Sequence, residues 1–468
     1  DSATSFIGTS TALSLDLDSA GAVTDTDSAS LTVTNLADIA GTSITLGDHA
    51  TDDTVALGSL LFNSAGDVSI SENDGDGTLL SGSSSAQNLT LSSTGAIADS
   101  AGTTLAVSGL ATITNAGTGA ITLGDNIGDA ANFGTLNLNG STVAVTEASS
   151  TELTGVSAST LTLTSAGAIT DSAATTLAVT NLATITNAGV GIITLGDDAG
   201  DTTNFGTLNL NGSTVTVTED TSTELTGLSA STLTLTSAGA ITDSAATTLA
   251  VTGLATITNA GAGTITLGDD AGDSTNFGTL NLNGTTVTVT EDSSTELTGV
   301  TATGSFALTS AGSITDSAAT TLAVTGLANL TSTGGGAITL GDNAGDTTNF
   351  GSLTFNGTGA VSVSEDSDTA LSGTSTALSL DLDSTGGISD DGTANLTVTN
   401  LADFAGTSIT LDDTMNFGSL TFNSAGAVVV AEDSSTLLSG TSLVSSLDLK
   451  STAAITNSDS ASLTVQNL

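Results

Sequence analysis

The feature that most constrains this chain is an internal repeat with a period of about 72 residues. The block Asn-Leu-Asn-Gly begins at Asn137, Asn209 and Asn281, which are equally spaced. An Ile-Thr-Leu box recurs with nearly the same period, beginning at Ile44, Ile121, Ile193, Ile265, Ile338 and Ile409. Such self-similarity is typical of stacked architectures in which each unit buries its apolar face against its neighbours. We therefore predict a single continuous body over residues 1–468, made of six and a half repeats.

Short runs with alternating apolar residues follow one another about every eight residues within a repeat. The run Thr232–Thr236 places Leu233 and Leu235 on one face and its threonines on the other. Leu233, Ile257 and Asn281 follow one another at equal steps of about 24 residues. We predict an all-β fold, a right-handed parallel β-helix (β-solenoid) of triangular cross-section, with about 24 residues per rung and three rungs per 72-residue repeat.

A string of immunoglobulin-like domains is the rival fold. The chain contains no Trp, Tyr or Pro, and its eight-residue spacing of strands leaves no room for strands of normal sandwich length, which favours the solenoid.

With a rung spacing of about 4.8 Å, the solenoid would have roughly 19 rungs and a length on the order of 90 Å. The segment Leu31–Leu36 matches Leu463–Leu468, so the ends are in phase. We expect a segment of a longer protein or an assembling subunit.

Almost all the charged residues of the chain are acidic. The chain has 49 acidic residues, one basic residue and a formal net charge of −48. Binding to nucleic-acid phosphates requires clustered Lys and Arg, so nucleic-acid partners are excluded. No apolar run approaches the length of about 18 residues that a membrane-spanning helix needs, and we expect no membrane insertion. Cysteine is absent, which excludes disulfides and thiolate metal sites.

A Gly-rich acidic loop recurs after the Ile-Thr-Leu box and is the best candidate for a metal site. Calcium binds six to eight oxygens from Asp, Asn and backbone carbonyls, and such loops offer those ligands. The alternative is a solvated turn, because Asp, Asn and Gly tolerate turn geometry. The spacing matches neither an EF-hand nor the Gly-Gly-x-Gly-x-Asp nonapeptide. The candidate ligands are Asp125, Asp129, Asn132, Asp197, Asp198, Asp201, Asn204, Asp269, Asp270, Asp273, Asn276, Asp342, Asp346 and Asn349.

A second acidic motif, Glu-Asp, recurs along the chain, for example at Glu219 and Asp220. Paired carboxylates can hydrolyse glycosides, and β-helices do host polysaccharide-active enzymes. These acids recur with the period of the repeat, however, whereas an active site is formed once, by residues that differ from the repeat. The only histidine, His49, is expected to be an exposed loop residue. We predict no catalytic residues and no cofactor other than Ca²⁺.

The Thr-x-Thr runs admit an ice-binding surface as an alternative interpretation. Such a surface requires the same pair in every rung, but the predicted column has Thr232 and Thr234, then Thr256 and Thr258, and then two asparagines. Threonine as a soluble β-former is the favoured interpretation.

The repeats Leu-Thr-Leu-Thr-Ser-Ala-Gly and Ile-Thr-Leu-Gly-Asp, in a chain without Cys, resemble bacterial β-strand-repeat surface proteins of the filamentous haemagglutinin and autotransporter-passenger type. The resemblance implies secretion, a right-handed β-helix, and a role in adhesion or in an extracellular or biofilm matrix. The 72-residue unit and the 24-residue rung depart from those families.

We expect a non-enzymatic, extracellular or cell-surface structural protein that forms a stiff fibre or stalk by self-association into filaments. The alternative is the calcium-stiffened repeat shaft of an adhesin whose binding tip, with its surface or glycan partner, lies elsewhere. Catalysis would require a cleft lined by unrepeated residues.

Overall fold

A computed structural model describes residues 2–48 and 53–466. The candidate residue His49 lies outside the described residues. The described chain is all-β without a helix, and its parallel strands stack as a β-solenoid of about 22 turns. The fold class predicted from the repeat is confirmed, while the handedness stays a prediction. The chain divides into two compact units, Asp1–Ser231 and Thr232–Leu468.

The first unit consists of parallel strands that differ widely in length. They are β1 (Thr4–Phe6), β2 (Thr9–Ala12), β3 (Leu15–Asp18), β4 (Val23–Asp25), β5 (Ser30–Gly41), β6 (Ile44–Leu46), β7 (Thr54–Ser64), β8 (Val68–Glu72), β9 (Thr78–Leu80), β10 (Ser83–Ala86), β11 (Leu89–Ser93), β12 (Ile97–Asp99), β13 (Thr104–Asn115), β14 (Ala120–Leu123), β15 (Ala130–Glu147), β16 (Thr151–Ser165), β17 (Ile169–Asp171), β18 (Thr176–Asn187), β19 (Ile192–Leu195), β20 (Thr202–Asn211), β21 (Thr214–Glu219) and β22 (Thr223–Ala230).

The second unit continues the same kind of element. Its strands are β23 (Thr232–Ser237), β24 (Ile241–Asp243), β25 (Thr248–Asn259), β26 (Thr264–Leu267), β27 (Ser274–Gly284), β28 (Thr286–Glu291), β29 (Thr295–Ala302), β30 (Phe306–Ser310), β31 (Ile314–Asp316), β32 (Thr321–Ser332), β33 (Ile338–Leu340), β34 (Thr347–Gly357), β35 (Ala360–Glu365), β36 (Thr369–Leu371), β37 (Thr374–Ala377), β38 (Ser379–Ser384), β39 (Ile388–Asp390), β40 (Asn395–Gly406), β41 (Ile409–Ser424), β42 (Ala427–Glu432), β43 (Thr436–Leu438), β44 (Thr441–Val444), β45 (Ser446–Ser451), β46 (Ile455–Asn457) and β47 (Ser462–Val465).

The core is formed by the alternate residues of each strand. In β23, Leu233 and Leu235 are 2% and 0% exposed, while Thr232 and Thr234 face solvent. Period-two alternation produces this arrangement because successive side chains of a strand point to opposite faces. A phenylalanine beside each acidic loop adds a large buried side chain: Phe133, Phe205, Phe277, Phe350 and Phe417 are each at most 5% exposed.

The pairing of strands in the second unit shows how a repeat is wound. From Ile241 in β24, successive pairings lead through β26, β28, β30, β32, β34 and β36 to β39, which begins at Ile388. These seven steps span two repeats, which gives an average circuit of about 21 residues. The intervening copy, Ile314 in β31, belongs to a different column that contains β29 and β33. One repeat therefore covers three and a half circuits, and successive repeats alternate between two columns.

The predicted 24-residue circuit, constant in length and three to a repeat, differs from this winding. Circuit length varies because the chain closes its circuits in two ways. Leu254 pairs with Thr279 in a long circuit that contains an acidic loop. Leu280 pairs with Leu297 in a much shorter circuit, because a tight turn at Glu291 replaces the third strand. The predicted three-sided section therefore applies to the longer circuits alone.

The register also corrects the predicted columns. Ile241 pairs with Ile265 as expected. Leu233, however, pairs with Ala255 rather than Ile257, a shift of two residues. A shift of two preserves the face that each side chain occupies, so Leu233 and Ile257 both point inward. The third member of the predicted column was wrong, because Ile257 pairs with Leu282 and Asn281 lies on the outer face. On the outer face, Thr256 pairs with Thr234 and with Asn281, so asparagine does interrupt the threonine column.

Candidate metal centre

Each recurring acidic loop is closed by one aspartate that accepts two backbone hydrogen bonds. The carboxylate of Asp129 accepts the N–H of Thr103 from the neighbouring circuit at 2.9 Å and the N–H of Asn126 from its own loop at 2.8 Å. The same pair of bonds recurs at Asp201, Asp273 and Asp346. This aspartate fastens the loop to the adjacent circuit, which is the turn-forming role considered for these loops.

A second aspartate approaches the loop from the preceding circuit. Asp99 ends β12, is 9% exposed, and accepts the N–H of Gly124 at 2.9 Å. Asp171, Asp243 and Asp316 accept the N–H of the equivalent loop glycines, which are Gly196, Gly268 and Gly341. Gly124 has φ 73°, and a Cβ atom there would lie 2.1 Å from the carbonyl oxygen of Thr146. Glycine is thus required at the start of the loop.

Burial has a direct electrostatic consequence for these aspartates. Burial raises the pKa of Asp99 to about 6, the nearby charges of Asp129 and Asp125 raise it as well, and the hydrogen bond from Gly124 lowers it. The pKa values of the three equivalent aspartates are also raised to about 6 by burial, at Asp171, Asp243 and Asp316. The charged carboxylate is therefore disfavoured unless a cation neutralises it.

In four places within residues 2–48 and 53–466, three aspartates gather closely. Each contributes one carboxylate oxygen, and the three oxygens lie within 4.8 Å of one another. Calcium binds oxygen at about 2.3–2.6 Å, so oxygens on one ion lie up to about 5 Å apart, and the clusters fit that limit. The groups are Asp25, Asp48 and Asp53; Asp99, Asp125 and Asp129; Asp316, Asp342 and Asp346; and Asp390, Asp412 and Asp413.

The predicted ligands are distributed unevenly among these groups. Asp125 and Asp129 meet in one cluster, and Asp342 and Asp346 meet in another. The loops that contain Asp197, Asp198 and Asp201, and Asp269, Asp270 and Asp273, do not contribute to such a group in the described part of the chain. The predicted asparagines lie beyond the loops in the strand ladder, where they pair with alanines: Asn132, Asn204, Asn276 and Asn349.

One residue separates the loops that form a cluster from those that do not. Asn126 donates from Nδ2 to the carboxylate of Asp125 at 3.2 Å and to the carbonyl oxygen of Asp99 at 3.3 Å. Asn343 makes the equivalent two contacts at 3.2 and 3.4 Å. The other two loops have Asp198 and Asp270 at this position. An aspartate cannot donate this bond and adds a negative charge, so it does not draw the neighbouring carboxylate inward.

Asp99 and Asp316 were missed in the sequence because they lie one circuit before their loops. A usable signal exists: in all four repeats an Ile-x-Asp run ends on this aspartate, at a constant distance before the loop glycine. It becomes informative only when the strand register is known. The clusters of Asp25 and of Asp390 were missed for the same reason.

The glutamates of the second acidic motif are arranged differently from the aspartates of the loops. Glu147, Glu219, Glu291, Glu365 and Glu432 are each at most 2% exposed. The carboxylate of Glu219 accepts the N–H of Phe205 at 2.6 Å and the hydroxyl hydrogen bond of Thr223. The phenylalanine N–H is bound in the same way in the other four repeats, at distances of 2.6–3.0 Å.

This glutamate stabilises the tight turn that replaces a strand. Burial raises the pKa of Glu219 to about 7, the charge of Asp220 raises it as well, and the hydrogen bonds from Thr223 and Phe205 lower it. Asp220 accepts the N–H of Thr203 at 2.9 Å. Both acids of the Glu-Asp pair considered for glycoside hydrolysis thus hold backbone amides.

Comparison with known proteins identifies the repeat. Residues 65–137, 212–283, 284–357 and 358–423 match the family described as "Repeats of unknown function (DUF5649)", and together they cover more than half of the chain. The chain belongs to this repeat family. The matched segments are close to the 72-residue repeat in length, so the family unit and the internal repeat coincide. No curated protein and no solved structure matches the chain significantly. Within the described residues, no helix is long and apolar enough to cross a membrane.

Proposed function

We propose that this member of the repeat family is a non-enzymatic structural protein that forms a stiff stalk or fibre at the outside of a bacterial cell. The observation that carries the proposal is the use of the polar residues. The half-buried Asp201 and the buried Glu219 recur with the repeat and bind backbone amides. Acidic residues that recur with the repeat and bind backbone amides stabilise the fold, whereas an active site is expected once, at residues that differ from the repeat.

The interior supports the same proposal. Leu210 in the first unit and Leu235 and Leu282 in the second are completely buried on their strands, and aliphatic side chains on adjacent strands of each unit are buried with them. Circuits joined by parallel backbone ladders and a continuous apolar core resist extension as a stack, because each circuit is held by its neighbours. A net charge of −48 favours solubility and disfavours binding to anionic surfaces. The extracellular location rests on this acidic composition and on the resemblance to bacterial surface proteins.

Electron microscopy of the native material tests the proposal. We expect continuous filaments or stalks, formed by self-association or by a long chain. Force spectroscopy on the purified chain supplies a second readout. Release of a single circuit of about 21 residues should lengthen the chain by about 70 Å, at about 3.4 Å per residue. Dispersed particles in the native material, combined with extension at negligible force, would contradict a load-bearing role.

The acidic clusters favour a second candidate, the shaft of an adhesin that is stiffened by calcium. Three aspartates whose carboxylate oxygens lie within 4.8 Å of one another, repeated in several places, are a specific observation in its favour. Thermal unfolding in EDTA and in millimolar Ca²⁺ tests this candidate. An unchanged unfolding midpoint would eliminate calcium stiffening. Native stalks that end in a distinct tip would favour the adhesin shaft over a continuous filament.

A further inference from the structure

We propose that only two of the four equivalent acidic loops bind a hard divalent cation, and that an asparagine determines which two. The first site, the first cluster, consists of Asp99, Asp125 and Asp129. The second cluster consists of Asp316, Asp342 and Asp346. The inference deepens the cation-stiffened function proposed above and rests on it, since it names the ligands and the residue that selects them.

The first cluster contains a buried oxygen that lacks a partner. The Asp99 side chain is 9% exposed, and its Oδ2 accepts the N–H of Gly124. Its Oδ1 is fully buried and has no hydrogen-bond partner among the residues that the structure describes. The carboxylate lies within the group whose three oxygens are at most 4.8 Å apart. A cation bound by Asp99, Asp125 and Asp129 would supply the missing partner of that oxygen. In the second cluster both carboxylate oxygens of Asp316 accept the Gly341 N–H, so that site is inferred from its equivalence to the first.

No lysine or arginine is placed to neutralise these carboxylates. Lys450 is the only Lys or Arg in the chain, and its Nζ lies 3.1 Å from Asp448. Three carboxylates that approach one another without a basic partner must bind protons or recruit ions from solvent. The ligands are all oxygens, which favours Ca²⁺ or a similar hard cation over the softer transition metals.

An asparagine distinguishes the two loops that gather three carboxylate oxygens from the two that do not. Asn126 and Asn343 each donate to the first aspartate of their loop and to the carbonyl oxygen of the buried aspartate. The loops that have Asp198 and Asp270 instead share the glycine, the closing aspartate and the buried aspartate, yet do not gather three oxygens within the same distance. The loop from Gly341 to Asp346 differs from the loop from Gly196 to Asp201 only at this position, so a single amide accounts for the difference between them.

The position of each site indicates what the ion would do. Ile97 of β12 pairs with Ile121 of β14, and the first cluster joins the ends of these neighbouring strands. An ion there is bound by two consecutive circuits and is released when they separate. Binding to the folded form alone stabilises it in proportion to the logarithm of the free ion concentration. Calcium should therefore oppose the separation of circuits.

Calcium titration of the full chain, by equilibrium dialysis with ⁴⁵Ca²⁺ alone, tests the proposal. The double variant Asp99→Asn with Asp316→Asn should bind two fewer Ca²⁺ per chain than the native protein. The matched control, Asp171→Asn with Asp243→Asn, should retain the native stoichiometry. Asparagine keeps an acceptor for the glycine N–H, and circular dichroism would verify that both variants are folded.

Exchanging asparagine and aspartate at the position that distinguishes the loops tests the proposal in both directions. Asn126→Asp with Asn343→Asp should weaken binding at both sites at least tenfold, whereas Asp198→Asn with Asp270→Asn should add two sites. Equal stoichiometry in the Asp99/Asp316 variant and its control would overturn the proposal. So would binding that is diffuse, abolished by moderate NaCl and insensitive to all four variants. Native stalks that persist with the cation sites removed would leave the structural function intact, so the two proposals can fail separately.

Discussion

Replacing the buried Glu219 with glutamine should stabilise the chain at alkaline pH and have little effect at acidic pH. Glu219 is 1% exposed, and burial raises its pKa to about 7 from an ordinary value of 4.5. The folded state therefore binds the proton more tightly than the unfolded chain. Its stabilising contribution is fully present below pH 4.5 and is lost as the pH rises through about 7.

The size of the effect follows from the same shift. Each pKa unit corresponds to about 1.4 kcal/mol, so the ionised glutamate costs the folded state about 3 kcal/mol well above pH 7. Glutamine reproduces the protonated side chain, because its carbonyl accepts the Phe205 N–H and its amide donates to the Thr223 hydroxyl. We expect Glu219→Gln to raise the free energy of unfolding by up to about 3 kcal/mol at pH 8.5 and by less than about 0.5 kcal/mol at pH 4.

Urea unfolding of the native chain and the variant at pH 4, 6 and 8.5 measures this difference. Hydrogen exchange at the Phe205 amide follows local opening of the same turn. The matched control is Glu224→Gln, which removes the same charge from an exposed position nearby and should not show a comparable pH-dependent difference. The reasoning would be refuted if Glu219→Gln were destabilising at pH 8.5, or if its effect were equal at pH 4 and 8.5.

Three further substitutions test the turns and the core, each by urea unfolding. Gly124→Ala should destabilise by more than Gly102→Ala, since both residues have positive φ but only at Gly124 would the new Cβ atom meet backbone, 2.1 Å from a carbonyl oxygen; equal losses would contradict the close approach. Phe277→Ala should cost about 3–5 kcal/mol by leaving a cavity beside the loop, and a loss below about 1 kcal/mol would contradict its core position. Asp201→Ala leaves the N–H groups of Thr175 and Asp198 without this acceptor and should cost about 1–3 kcal/mol, whereas a neutral result would contradict its closing role.

Much of the fold followed from the sequence because the side-chain period and the repeat period are local properties. Alternation placed Leu233 and Leu235 on one face of their strand, and both are buried. The circuit length did not follow, because a 72-residue repeat can be divided into three equal circuits or into three and a half unequal ones. The tight turn at Glu291 decides between them, and its effect depends on a buried hydrogen bond to the Phe277 N–H.

The candidate metal centre was predicted only in part for a related reason. The loop residues Asp125 and Asp129 are visible in the sequence as an acidic, Gly-rich segment. Their partner Asp99 comes from the preceding circuit, so its position depends on the register. The distinction between Asn126 and Asp198 looked like ordinary variation within a repeat, because its consequence lies in the orientation of a single amide.

Disulfide trapping tests the winding of the repeat most directly, because the chain has no cysteine of its own. Thr234 and Thr256 are paired neighbours on adjacent strands, which gives a Cα separation of about 4.8 Å and suits a disulfide. A 24-residue circuit would instead pair Thr232 with Thr256, which the observed register places two residues out of alignment, beyond about 7 Å. We predict rapid oxidation of the Thr234→Cys, Thr256→Cys variant and little oxidation of the Thr232→Cys, Thr256→Cys variant. The opposite result would contradict this register, and with it the circuits shorter than 24 residues on which the count of three and a half per repeat depends.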